Sequence, residues 1–299
     1  MPTLETRVFA CPVCGALDDQ LGPGPGKRPR ASCRQCGSLE RHRFLALLLD
    51  AFAGKARAAR VVLDVAPSLQ LSGLIRSLNP GGYVGIDFDP HADGRIVDVV
   101  ASLTDLPFDD SSVGLAVCYH VLEHIPDDAA AMGQLARVLS KDGVALVQVP
   151  WRAGPTDEDP TATVAERIRR FGQADHVRYY GDDFTTRLEA AGLHVTAIRP
   201  RDLLDEDVMR VTGIDPDERV WVCSVSDGEV LDLGAVRAAV LSGFAPLLVK
   251  VAGRAIAGRS GSASGPQGHL ATAVTRFRAT APGKAVATLT RPIRRRGRR

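Results

Sequence analysis

The stretch "CYHVLEHIPD", residues 118–127, has two readings that lead to different folds. As a motif, His120-Val121-Leu122-Glu123-His124 fits H-x-x-E-H, the signature of a reversed-order zinc peptidase with both histidines on one helical face. As a position, it closes a buried strand, where an alternating αβ chain turns a loop toward a ligand. Proline decides between them. Pro126 stands two residues after His124, and its ring clashes with a preceding helical turn, so a helix through both histidines has to stop there. The strand-end reading is the one carried outward.

Upstream, "VVLDVA" (61–66) and "YVGID" (83–87) read as buried strands, separated by the amphipathic "LQLSGLIRSL" (69–78) and an Asn79-Pro80-Gly81-Gly82 turn. "RIVDVV" (95–100) reads as a third strand, "GLAVC" (114–118) as a fourth and "GVALVQVP" (143–150) as a fifth. A helix opens at Asp127 and runs to about Ser140; another runs from about Asp182 to Gly192. "LHVTAIR" (193–199) and "RVWVCSV" (219–225) complete the strands. Near-continuous Val/Ile/Leu strands alternating with helices predict a parallel sheet covered on both faces, that is, a doubly wound, Rossmann-like α/β domain. In such a sheet the ligand lies beyond the carboxyl ends of the strands, where strand order reverses.

The 299 residues are 45% hydrophobic and 24% charged, which fits a soluble globular chain and excludes a fibrous or wholly disordered one. "MPTLETRVFA" has no basic start followed by an apolar core, so no signal peptide is expected and the cytoplasm is the expected location. The apolar stretch Ala238 to Val249 contains Pro246 and is too short to span a bilayer, so no transmembrane segment is expected. From Val251 to Arg299 there are eleven Lys/Arg and no Asp/Glu, which leaves residues 1–250 at −9 within a whole-chain charge of +2. "SGSASGPQG" (260–268) has linker composition, and "RPIRRRGRR" (291–299) is a like-charge tail. Such a tail suits nucleic acid or an anionic membrane surface by screened electrostatics, or serves only to keep the chain soluble. "LSGFAPLLVKVAGRAIAG" (241–258) hints at a basic amphipathic helix. The expected division is 1–43, 44–226 with "FLALLLDAF" (44–52) as a short opening helix, and a largely flexible basic extension over 227–299.

Within 1–43, Cys11-Pro-Val-Cys14 and Cys33-Arg-Gln-Cys36 give C-x2-C-x18-C-x2-C, a zinc spacing. Two thiolates on one tight turn offer one edge of a tetrahedron, and a second turn offers the other. Gly15 and Gly37 each follow a second cysteine, where such a turn favours positive φ. Four cysteines fill the coordination shell, so a Zn2+ held here is structural; the alternatives are two disulfides or free thiols. Cys118 and Cys223 fall within strands and read as core.

The first strand ends "LDVAPS" (63–68), without the G-x-G-x-x-G that a dinucleotide's pyrophosphate needs. That argues against NAD and FAD. A cofactor with an adenosine but no phosphate does not need the cradle. Asp87 ends the second strand, twenty-three residues after Asp64, a spacing suited to hydrogen-bonding ribose hydroxyls.

Residues 101–150, with Leu106-Pro107-Phe108, His120 to His124, Arg137-Val138-Leu139 and Asp142-Gly143, resemble the class I S-adenosylmethionine-dependent methyltransferases. The likeness extends through "ERIRRFGQADHVRYYGDDFTTRLEAAGLHV" (166–195) to a subgroup with an N-terminal zinc ribbon followed by "GSLERHR", here Gly37 to Arg43, and covers about residues 10 to 225. It implies S-adenosyl-L-methionine as cofactor, with Asp64 and Val65, Ala66, Pro67 and Ser68 under its methionine part. It likewise implies Asp87 and Phe88 at the ribose, Ser102 and Leu103 flanking the adenine, and Tyr119 to Val121 lining the floor near the methyl. Two departures stand out: "VAPS" replaces the glycine-rich first motif, and Ser102 replaces an expected Asp. In this reading Glu123 and His124 fix the loop, while His120 meets cofactor or substrate.

The acceptor expected is a small molecule or saccharide. The alternative class is a zinc-ribbon nucleic-acid-binding protein with a vestigial or RNA/DNA-directed methyltransferase fold. The connection from Pro150 to Gly181 leaves the fifth strand's carboxyl end and has the length of a lid. Within it Asp175-His176 reads as a general-base pair, the carboxylate orienting the imidazole, or else as a helix cap. Arg178, Tyr179 and Tyr180 are candidates to hold the acceptor, or packing residues, and Trp151 a candidate anchor of the lid.

Overall fold

The computed structural model describes residues 8–91, 94–226 and 231–257. Seven strands, β1 (Val61–Val65), β2 (Tyr83–Asp87), β3 (Val99–Val100), β4 (Val113–Tyr119), β5 (Leu139–Gln148), β6 (His194–Ile198) and β7 (Val220–Ser224), form the central sheet. Their order is β3-β2-β1-β4-β5-β7-β6. All neighbours are parallel except β7, which runs antiparallel to both β5 and β6. The order reverses between β1 and β4, so the crevice beyond their carboxyl ends is the ligand position for this topology.

Alternation along each strand explains the unbroken apolar runs. In β1, Val62 packs into one core while Leu63 and Val65 pack into the other. In β4, Leu115 and Val117 face the first core, Ala116 and Cys118 the second. Both faces are covered. One is covered by α1 (Glu40–Ala58), α2 (Ser72–Leu78) and, further along, α7 (Leu233–Ala257); the other by α3 (Asp128–Val138) and α5 (Phe184–Ala190). Cys118 and Cys223 are both fully buried, as core residues should be.

Three sequence expectations change. α1 starts at Glu40 and runs nineteen residues, so the expected boundary at 43/44 falls inside a helix. His42 explains the early start: its Nδ1 accepts from the Leu39 N–H at 3.3 Å, satisfying an orphan helix donor. The strand expected over 95–100 shrinks to Val99–Val100, because the polar residues before it turn into crosslinks. The Asp98 carboxylate accepts from the Gly85 N–H at 2.8 Å and from Arg76 at 2.9 Å, and Arg95 turns to Asp87. Finally, the extension expected to be flexible from 227 holds α7, whose Val236, Val240, Phe244, Leu247 and Val251 are buried at helical spacing in the α1 core. Pro246 lies on the exposed side of that helix. Its segment Leu233–Val251 is long and apolar enough to cross a membrane by length and composition. The linker and basic tail read from 258 onward lie outside the described residues.

α7 crosses α1 closely because of one glycine. A Cβ on Gly243 would fall 1.8 Å from Oδ2 of Asp50.

Candidate active site

The turn after β1 keeps a glycine's geometry without the glycine. Ala66 has φ +53°, and its N–H donates to the Ile86 carbonyl at 2.8 Å. A side chain in the left-handed region costs about 1 kcal/mol, a strain that native chains concentrate at functional sites. Pro67 packs over β2, where a Cβ on Gly85 would come within 2.7 Å of its Cγ, and the Ser68 hydroxyl accepts from the Leu71 N–H at 3.2 Å as α2 begins. Behind the turn, Asp64 is 3% exposed and accepts from the Tyr83 hydroxyl at 2.8 Å. Burial pushes its carboxyl up to about 7 against that hydrogen bond.

Asp87 ends β2 with a buried carboxylate that accepts from the Asp89 N–H at 3.0 Å and from Arg95 at 2.7 Å. Two of its roughly four acceptor positions are thereby used and two remain. Phe88 beside it is 78% exposed, an aromatic face without a packing partner's shelter. After β3, the Ser102 hydroxyl bonds the Thr104 hydroxyl at 2.7 Å, and Leu103 is buried beneath them. His120, after β4, has φ +56°, and its N–H donates to the Gln148 carbonyl at 2.9 Å. The strand thus continues its ladder while the side chain swings out over the crevice.

Two cavities meet here. One of about 290 Å³ is lined by Asp64, Val65, Ala66, Ser68, Tyr119 and His120, together with Arg41, His42 and Arg95. The other, of about 650 Å³, is lined by Asp87, Phe88, Ser102, Leu103, His120 and Val121, with Arg95, His124 and Asp175. Val65, Ala66, Arg95 and His120 belong to both, so they form a waist between two lobes. A larger surface cavity of about 980 Å³ lies elsewhere, against Glu206–Thr212, and no strand-end carboxylate lines it. Chemistry, not size, makes the sheet edge the candidate site.

Below the smaller lobe, beside the expected Tyr119, sits a polar cluster that sequence reasoning missed. Gln148 donates to Glu218 at 2.6 Å, and burial pushes the Glu218 carboxyl up to about 7 against the nearby Arg41. The Tyr119 hydroxyl is buried without a protein partner, and burial pushes the His42 imidazole down to about 3. Arg41 and His42 lie inside "GSLERHR", the one local signal for them; Arg95, Gln148 and Glu218 carry none.

The expected Asp175-His176 pair does not form. Asp175 binds Nδ1 of His124 at 3.1 Å, while His176 is 2% exposed and its Nδ1 lies 3.0 Å from the Phe171 carbonyl. Backbone pairing explains the outcome: the Val177 N–H donates to the Glu123 carbonyl, so the chain tucks His176 inward and leaves Asp175 at the surface. Arg178 and Tyr180 also face inward. The Arg178 guanidinium, 1% exposed, donates to the carbonyls of Leu122, Ile125 and Pro126, and the Tyr180 hydroxyl donates to Asp128 at 2.7 Å. They clamp the 122–126 turn and are not available to an acceptor. Tyr179 is half-buried under Arg152, and Arg219 stacks 3.3 Å above Trp151.

In the N-terminal module the four thiols converge. Cys11 and Cys36 are 3.7 Å apart and Cys14 and Cys33 3.8 Å, too far for disulfides. Two matched turns build this, with Gly15 N–H to the Cys11 carbonyl and Gly37 N–H to the Cys33 carbonyl, both glycines at positive φ. Arg43, fully buried, locks the module to the sheet domain by donating to the carbonyls of Ala31, Ser38 and Gly213.

The methyltransferase domain family matches residues 39–198, more than half of the chain. A relative from Mycolicibacterium smegmatis, named a probable S-adenosylmethionine-dependent methyltransferase, is 31% identical over 112 residues, 35% of this chain and 38% of its own length. Another of that description, from Mycobacterium tuberculosis H37Rv, is 34% identical over 76 residues, 23% of this chain and 28% of its own. The chain therefore spans less than two fifths of these curated relatives. A solved SAM-dependent methyltransferase from Archaeoglobus fulgidus overlays 61% of this chain and 93% of its own, with TM-score 0.40 and 12% identity.

Proposed function

This chain belongs to the methyltransferase domain family, and within it we propose an enzyme that transfers a methyl group from S-adenosylmethionine to a small-molecule or saccharide-type acceptor. The observation that carries the reading is Asp87, a buried carboxylate with unused acceptor positions at the end of β2, opening on the larger lobe. Two ribose hydroxyls would donate to it, as donors fixed by Arg95 and Asp89 leave those lone pairs free. Phe88 and Leu103 would enclose the adenine, with the Ser102 hydroxyl at its edge. Asp64 and the Ala66–Ser68 turn would hold the methionine part in the smaller lobe. The sulfonium methyl is bound already activated, so this chain's work is alignment and exclusion of water. The acceptor would sit at the waist beside His120 and Tyr119. Its polar surroundings, with Arg41, Gln148 and Glu218 below, suit a hydroxylated molecule.

The N-terminal module would hold a structural zinc. Thiolates 2.3 Å from an ion stand about 3.8 Å apart on a tetrahedron, which supports that ion between the two cysteine pairs.

Calorimetry with S-adenosylmethionine tests the enzyme reading. Binding is expected for the full chain, weakened about tenfold to hundredfold in Asp87→Ala, the worth of charge-assisted hydrogen bonds. No heat from the unaltered chain would end it. Mass spectrometry of gently isolated protein gives an independent answer through any co-purified cofactor or its demethylated product.

A further inference from the structure

Behind the larger lobe, Glu123, His124 and His176 bring one donor atom each within 4.8 Å of the others. Glu123 lies on the one-turn helix Leu122–His124 with its side chain fully buried, and the Val177-to-Glu123 backbone bond brings His176 against it. The two imidazole rings pack edge to face, with centroids 4.6 Å apart.

The outward atom of each side chain is already engaged. Nδ1 of His176 is 3.0 Å from the Phe171 carbonyl, which only accepts, so Nδ1 carries the proton and Nε2 a lone pair. Nδ1 of His124 faces the Asp175 carboxylate at 3.1 Å, which leaves its Nε2 as the inward acceptor, 4.0 Å from Oε1 of Glu123. Oε1 of Glu123 is itself 3.1 Å from Nδ1 of His120. Two inward atoms, Oε2 of Glu123 and Nε2 of His176, are buried with no hydrogen-bond partner in the protein. Acceptors gathered in a dry place repel one another and forfeit their hydration. A cation reverses both terms. Imidazoles whose far nitrogens are fixed by a carbonyl and a carboxylate are also how proteins orient histidines toward a metal.

We propose that Glu123, His124 and His176 form a second metal site, taking a divalent ion of the zinc or iron(II) class. Two imidazoles and one carboxylate select that class over magnesium or calcium. Ligand atoms about 2.0–2.2 Å from an ion stand roughly 3.3–3.6 Å apart on a tetrahedron, so the shell closes when side-chain movements of about an ångström draw these three atoms together. Three protein ligands leave a coordination position open, and His124 is the member that lines the cavity. The open position suits a hydroxyl or carboxylate oxygen entering from there. This set differs from the one H-x-x-E-H suggests by spacing: His120 stands behind Glu123 as its hydrogen-bond partner, and His176 takes its place.

The site's existence does not rest on the methyl-transfer reading, and its test uses metal, not activity. The full chain, grown with zinc and desalted, is expected to carry two ions per chain by elemental mass spectrometry. Glu123→Gln and His176→Ala are expected to carry one, while Cys33→Ser keeps the second. Asp175→Asn is expected to weaken the second site about tenfold to hundredfold in zinc titrations, as loss of an orienting carboxylate does. Anomalous scattering at the zinc edge from crystals of the unaltered chain places the ion whether or not a variant folds. A single ion at the cysteines, a second ion lost on desalting, or a second ion retained in both Glu123→Gln and His176→Ala would overturn the proposal. S-adenosylmethionine calorimetry on the same sample reports separately, so failure of one reading is distinguishable from failure of the other.

Discussion

The Asp175 carboxylate lies 3.1 Å from Nδ1 of His124 and leaves its neighbour His176 to the Phe171 carbonyl. Each histidine therefore has its Nδ1 fixed by a different kind of acceptor. Histidine 15N–1H correlation spectra are expected to show His176 as the Nδ1–H tautomer both in the unaltered chain and in Asp175→Asn, while the His124 signals shift in the variant. A His176 that changes with Asp175→Asn would restore the sequence-adjacent pair.

The left-handed Ala66 supplies a second expectation. Ala66→Gly removes a side-chain penalty of about 1 kcal/mol and gives part of it back as unfolded-state entropy, so stability should rise by up to about 1 kcal/mol. Thermal unfolding is expected to move up by about 2–4 °C. A lower midpoint would mean that the methyl packs to more effect than it strains.

Asp64 makes stability depend on pH with a definite sign. Its folded carboxyl titrates near 7 because of burial, above its ordinary value of 3.8. The folded state thus binds more protons than the unfolded between those values, and this group's contribution falls as pH rises from about 4 to about 7. Asp64→Asn carries no such cost. Its melting temperature relative to the unaltered chain should climb across that window and level off above it; a flat difference would refute the assignment.

Gly243 faces Asp50 across the α1–α7 crossing, so Gly243→Ala is expected to destabilise by about 1–3 kcal/mol. Combining it with Asp50→Ala removes the opposing carboxylate and should recover most of the loss in a denaturant titration. Independent, additive losses would show that the two helices do not meet there.

Chelation of the metal proposed at the four cysteines is expected to lower the unfolding midpoint by on the order of 5–10 °C, monitored by circular dichroism with and without added zinc. Cys33→Ser should lower the midpoint as well, and an unchanged midpoint in that variant would leave the four thiols without a structural ion.

The sheet was legible because burial on both faces writes itself as uninterrupted Val/Ile/Leu runs, as in Val61–Val65 and Val113–Tyr119. The cysteine turns were legible because their geometry is local. Asp87 stood out by its spacing from Asp64. Arg95 did not, since only the folded chain shows it bending back to Asp87 across 2.7 Å. The partner of Asp175 was hidden for the same reason: a backbone bond from Val177 to Glu123 decides which side chain points inward. α7 was legible only as the amphipathic hint over 241–258; its earlier start at Leu233 was obscured by Ser242, Gly243 and Pro246, which break the apolar period although the buried stripe through Val240, Phe244 and Leu247 survives them.

Arg43 reaches from the first turn of α1 to carbonyls on both sides of it, Ala31 and Ser38 in the cysteine module and Gly213 beyond α6 (Glu206–Thr212). A truncation that deletes the amino-terminal forty residues would strand a guanidinium in the interior with most of its acceptors gone. The module and the sheet are therefore expected to melt as one cooperative unit, and loss of the zinc proposed at the cysteines is expected to be felt at Glu218, a few residues beyond the Gly213 carbonyl that Arg43 grips.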